Sequence, residues 1–83
     1  MTQEPDTKPG NYYVSVRRND GDTRCLAGPF KDDHAAALAM VDRASRLAQE
    51  LDPRGVWYSY GTIRTDYSYA EPGILNRQLG LPT

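Results

Sequence analysis

One stretch, Asp33–Leu51, constrains this chain more than any other part of it. At about 100° per residue, Ala37, Met40, Val41, Ala44, Leu47, Ala48 and Leu51 share one helical face. Asp42, Arg46 and Gln49 lie opposite, and Asp42 stands one turn before Arg46, a favourable ion-pair spacing. Asp32 predicts the N-cap, and Asp33 places negative charge where the helix dipole is positive. Asp52-Pro53-Arg54-Gly55 ends the helix, first by removing a donor and then by allowing a sharp turn. A helix with one apolar stripe has to lay that stripe on another layer.

The flanking segments supply that layer. Asn11–Arg18 alternates with period two, Tyr12, Val14 and Val16 against Tyr13, Ser15 and Arg17, and is predicted as a strand. Asn19-Asp20-Gly21-Asp22 predicts a hairpin turn, and Thr23–Phe30 returns as a second strand, with Pro29 placing it at a sheet edge. Val56–Arg64 is the third strand. Residues 66–72 form a polar connector, and Gly73–Leu81 reads as a short helical turn with Gly80 as its C-cap. A right-handed crossover through the helix gives strand order 2-1-3 with antiparallel neighbours. The expected fold is α+β: a two-layer ββαβ domain with one long helix on one face. Its expected parts are a disordered tail over residues 1–10, a core over 11–64, and a C-terminal connector and tail over 65–83 that packs on or beside the sheet.

One helix leaves the other face of the sheet for solvent, the chain's own tail or a partner. Facing Tyr12, Val14 and Val16 toward the helix turns Tyr13 and Arg17 outward. In strand 3, both parities carry large side chains. Assigning Trp57, Ser59, Gly61 and Ile63 inward leaves Tyr58, Tyr60, Thr62 and Arg64 outward. Strand 2 is open between Leu26 with Phe30 and Cys25 with Ala27 facing the helix, a difference of one residue in register. On this reading Tyr13, Arg17, Tyr58, Tyr60 and Arg64 form one surface of the types enriched at protein interfaces. Such a surface could also stack the bases of a single strand. The alternatives are that Ile74, Leu75, Leu79 and Leu81 fold over it, or that two copies meet through it.

Composition narrows the partners. Ten basic and eleven acidic residues leave a net charge of -1, which fits neither a cationic nucleic-acid coat nor a polyanionic mimic. No apolar run approaches the roughly 18 residues of a membrane helix, and the first residues carry no signal-peptide pattern. The expected location is the cytoplasm, without membrane contact. With 83 residues, about 70 of them available to a core, a deep substrate cleft is hard to build. A single cysteine and a single histidine exclude a disulfide framework and a multi-cysteine metal cage. His34 is expected to be a solvated residue of the first helical turn, and Cys25 a structural thiol. Asp20, Asp22, Glu50 and Asp52 gather at one end among Arg18 and Arg54, a neutralised surface rather than a calcium site. No catalytic constellation, cofactor loop or metal site is expected.

Tyr12-Tyr13-Val14-Ser15-Val16, Leu26-Ala27-Gly28-Pro29-Phe30 before an alanine-rich helix, Asp52-Pro53-Arg54, Gly61-Thr62 and Gly73-Ile74-Leu75-Asn76-Arg77-Gln78-Leu79-Gly80-Leu81 span nearly the whole folded chain. Together they resemble small uncharacterised proteins carried by phages, plasmids and integrative elements of proteobacteria. Such elements also encode anti-CRISPR proteins. The resemblance implies a stoichiometric binder that docks on a multisubunit CRISPR surveillance complex and blocks target-DNA binding. A second likeness joins Gly28-Pro29-Phe30 and the following helix to the second half of the SPOR domain. It implies peptidoglycan binding, and with single-stranded nucleic-acid binding it forms the alternative class.

Overall fold

The computed structural model describes residues 5–83. Strand β1 spans Asn11–Arg17 and β2 Thr23–Lys31; helix α1 spans His34–Leu51, β3 Ser59–Thr65 and α2 Asn76–Leu79. The sheet order is β2-β1-β3, antiparallel throughout, so the expected ββαβ architecture is the observed one. No helix among the described residues is long and apolar enough to cross a membrane. The part of the expected disordered tail in residues 1–4 lies outside the described residues.

The β1–β2 turn closes as its composition dictates: Arg18 N–H donates to Asp22 O at 2.8 Å, and Gly21 takes φ +87°. Two irregularities in the β1–β2 register give β2 extra residues against β1. Arg24 pairs with Val16, Cys25 with Ser15, Ala27 with Val14 and Phe30 with Tyr12. The bulge therefore brings Leu26, Ala27 and Phe30 all into the helix-side core, while Cys25 turns to the opposite face.

The helix starts one residue later than expected. Asp33 is the N-cap, accepting from Ala36 N–H at 3.1 Å, because Asp32 is engaged elsewhere. Asp32 sits at φ +53°, accepts from Gly10 N–H at 2.9 Å and receives the Tyr67 hydroxyl, so its carboxyl is held below the usual range, chiefly by Tyr67. Arg46 donates to the Asp42 carbonyl at 3.4 Å instead of pairing with its carboxylate. Leu51, expected in the buried stripe, is exposed.

His34 is buried, contrary to its expected solvation. Its ring stacks on Tyr12 at 4.7 Å, Nδ1 accepts from the main-chain N–H of Asp6 at 2.7 Å, and Nε2 lies 2.8 Å from Thr62 Oγ1. An amide can only donate, so Nδ1 is the acceptor, and Nε2 carries the proton toward Thr62. Residues 6–10 are held by this contact, by Tyr12 Oη donating to Lys8 O at 2.7 Å, and by Arg64 donating to Pro9 O at 3.1 Å.

After β3 the chain must reach the far edge of the sheet, and it crosses the face without the helix. Asp66 starts the crossing by accepting from Ser68 N–H, and Asn11 Nδ2 donates to Tyr69 O at 2.8 Å. Tyr69 packs edge-on against Tyr13, whose hydroxyl donates to Glu71 O at 2.8 Å. At the β2 edge, the amides of Gly73, Ile74 and Leu75 donate to the carbonyls of Gly28, Cys25 and Leu26 at 2.8–3.1 Å. Gly73 is required there, since a Cβ would lie 2.5 Å from Ala27 N. Asn76 completes the edge: Oδ1 accepts from Gly28 N–H at 3.1 Å, while Nδ2 donates to Gly28 O and to Pro82 O. Leu75 and Leu79 enter the core beside Val14, Val16, Leu26 and Ala44. Residues 66–72 thus cross the helix-free face over Tyr13, while residues 73–81 close the β2 side of the two-layer sandwich.

Candidate functional site

The expected tyrosine–arginine surface is not formed, because its five residues divide between the two faces. Opposite partners in an antiparallel ladder share a face, and Val16 opposes Tyr60, Val14 opposes Thr62 and Tyr12 opposes Arg64. Tyr60 and Arg64 therefore lie on the helix side. So does Tyr58, whose ring packs against the core, leaving Ser59, Gly61 and Ile63 on the other face. The physical reason is that the 3₁₀ turn Pro53–Trp57 takes Trp57 out of the strand, so its bulk no longer selects the inward parity. Strand β3 then pairs with β1 in the register that puts Tyr60 and Arg64 beside Val16 and Tyr12. Tyr13 is on the helix-free face but is 0% exposed, sealed under Tyr69 and Glu71. Burial, with Tyr69, Cys25 and Glu71 nearby, pushes its phenol up to about 12. Arg17 alone of the five is exposed on that face, beside small and polar neighbours.

Cys25 and His34 stand on opposite faces of the sheet, so no thiol–imidazole pair exists. Burial raises the Cys25 thiol above its usual range, which disfavours the nucleophilic thiolate. Among the described residues, no group of three His, Cys, Asp or Glu side chains is placed to hold a metal ion.

A different surface lies at the hairpin end, beside the C-terminal end of α1. A groove of about 330 Å³ opens there. Val16, Leu26, Ala48, Tyr58, Tyr60 and Leu75 supply its apolar lining, and Leu51, Ile74, Arg18, Arg24, Arg54 and Asp52 its remaining walls. Tyr60 Oη is fixed by donation to Gly55 O at 2.9 Å, and its burial raises the phenol. Arg18 lies over the Tyr58 ring at 5.7 Å, and a second recess continues from Arg18, Arg54 and Tyr58 to Trp57. Trp57 is 74% exposed, and Leu51, Val56 and Ile74 are each close to 60%.

The rim is electrostatically balanced. Asp22 holds Arg24 at 2.7 Å and Arg18 at 4.0 Å, and Asp52 holds Arg54 at 3.1 Å. The arginine hydrogen bonds hold both carboxyls below their usual range. The groove offers apolar area ringed by guanidinium–carboxylate pairs, and its lining contains no histidine, cysteine or serine.

Periodicity misses this site because it places Trp57 inside the third strand, facing inward. The available signal is its position four residues after Pro53, within a Pro-Arg-Gly stop where a 3₁₀ turn competes with a strand. Compared with family models, curated proteins and solved structures, the chain matches none.

Proposed function

We propose that this chain is a non-catalytic, cytoplasmic interaction protein of a mobile genetic element, and that it docks on a protein partner through the groove beside Trp57. The observation supporting this reading is that exposed Leu51 and Ile74 wall an apolar groove rimmed by arginine, and that exposed Trp57 lines the adjoining recess, which shares Arg18, Arg54 and Tyr58 with it. Tryptophan and arginine dominate the energetics of protein interfaces, and large apolar groups cluster on a monomer surface where something covers them. A partner footprint of about 800 Å² would take roughly a seventh of the 5580 Å² surface.

The sequence resemblance assigns the partner class: a multisubunit CRISPR surveillance complex, inhibited sterically as the docked domain obstructs its DNA path. Trp57 would insert as the anchor, with Ile74 and Leu51 excluding water around it. Arg18, Arg24 and Arg54 would exchange their own carboxylates for acceptors on the partner.

The test is capture of a purified surveillance complex by the wild type and by Trp57→Ala plus Ile74→Ala, with target-DNA binding measured in parallel. Wild type should bind and block DNA, and the variant should bind at least about 30-fold more weakly, as loss of one hot spot implies. Equal capture by a variant that circular dichroism shows to be folded would remove the groove from the mechanism. Titration against single-stranded DNA at two salt concentrations addresses the other class. Tight binding that weakens steeply with salt would replace the protein partner by nucleic acid.

A further inference from the structure

The two edges of the sheet are treated in opposite ways. The β2 edge is bulged and covered by the main chain of Gly73–Leu75 and the side chain of Asn76. The β3 edge has neither protection. Its seven residues pair with β1 in unbroken register, they include no proline and one charge, Arg64, and no main-chain hydrogen bond among the described residues reaches their outer side. A straight, uncovered edge presents alternating N–H and C=O groups ready to pair with another strand.

The strand is also complementary to itself. We infer that β3 pairs antiparallel with β3 of a second copy about a two-fold axis at Thr62, joining two sheets into one of six strands. Only that centre aligns all seven residues. It sets Tyr60 opposite the partner's Arg64, an aromatic ring beside a cation, and Thr62 opposite the partner's Thr62. It sets Ser59 opposite the partner's Thr65, so no like charges meet. Gly61 falls opposite the partner's Ile63, and the space above Gly61 is empty: a Cβ placed there would meet nothing within 4 Å. The half-buried Ile63 side chain gains cover there. Both helices then lie on the same face of the joined sheet; Tyr60 is shared between the seam and the groove lining, while Trp57 lies outside the paired residues.

Sedimentation equilibrium from micromolar to about millimolar concentration tests this, using the full chain, Gly61→Lys and Trp57→Ala. The Cβ of Gly61→Lys meets nothing within 4 Å in the monomer, and the side chain places a charge in the space reserved for Ile63 of the second copy. The wild type and Trp57→Ala should double in mass as concentration rises. Gly61→Lys should remain monomeric with an unchanged melting curve. A wild type that is monomeric throughout overturns the inference. So does dimerisation that survives Gly61→Lys, or that is lost in Trp57→Ala alone, which would move the contact to the groove.

Discussion

Asn76 offers the sharpest test of how this fold is held together. Its amide acts as an extra peptide unit on the β2 edge, and the side chain is 1% exposed. In Asn76→Ala the Gly28 carbonyl keeps the Gly73 amide at 3.1 Å, and Pro82, which is exposed, returns its carbonyl to water. The Gly28 N–H loses its acceptor inside the protein, at about 1–3 kcal/mol. With the small void added, the expected loss is about 2–4 kcal/mol. A domain of this size has roughly 4–12 kcal/mol to lose, so the melting temperature should fall by roughly 10–30 °C. Asn76→Asp discriminates the mechanism from simple packing. It conserves shape and keeps an acceptor for Gly28 N–H, but turns a carboxylate oxygen toward two carbonyls. At pH 7 it should therefore be less stable than Asn76→Ala. A carboxyl in that position is protonated more readily in the folded than in the unfolded protein. Its penalty should be smallest below about pH 4, where both states are protonated, and should grow as pH rises above that value. Urea melts at pH 3.5 and 7 measure both effects. Asn76→Asp matching or exceeding Asn76→Ala at neutral pH, with no pH dependence between them, would refute the bridging role.

Tyr13→Phe should abolish the last phenol to ionise in a spectrophotometric titration, the one pushed up to about 12 from 10.0. Because the unfolded chain ionises this group first, wild-type stability should be intact below pH 10 and decline as pH rises toward 12. Gly73→Ala should destabilise by about 2 kcal/mol or more through backbone collision, whereas Gly61→Ala, facing open space, should be neutral or gain up to about 1 kcal/mol; thermal melts of the pair measure the contrast. His34→Ala should cost about 2–3 kcal/mol by removing the Tyr12 stack and two hydrogen bonds, and should bring amide exchange at Asp6 to the rate of an unstructured segment.

The architecture is legible because each element carries a period that only one structure satisfies. Ala37 and Ala44 sit at helical spacing and are buried as that spacing requires, and Tyr12, Val14 and Val16 alternate onto the helix. The site is less legible for an equally physical reason. In Val56–Arg64 aromatic or branched side chains occupy both parities, so alternation carries no information about which side faces in. The decision falls to the register with β1, which sets Tyr60 against Val16 and Arg64 against Tyr12. The turn before it is fixed by Asp52 accepting from Arg54 N–H and by Tyr60 donating to Gly55 O, contacts that alternation does not encode. The burial of His34 is hidden because its neighbours Asp32 and Asp33 signal a solvated helix start. That burial is supplied from 28 residues away on either side, by Asp6 and Thr62.

Asn76 is invisible to periodicity for a related reason, and it explains why the surfaces of this protein are distributed as they are. With one helix and three strands, the sheet has two edges and a helix-free face to manage, and the C-terminal segment covers part of both. Routing residues 66–72 across Tyr13 consumes the face on which alternation predicts an aromatic platform. Ending the route at Gly28 consumes the β2 edge, because Asn76 there supplies the acceptor for Gly28 N–H and joins the Gly73 amide on its carbonyl. What the segment does not reach are the β3 edge and the hairpin end beneath Leu51 and Ile74. The two surfaces left open, main chain along β3 and apolar side chains beside Trp57, are those proposed above for self-pairing and for partner docking, and they meet at Tyr60. The two are therefore separable by substitution away from Tyr60: Gly61→Lys should act on the β3 edge alone, and Trp57→Ala on the groove alone.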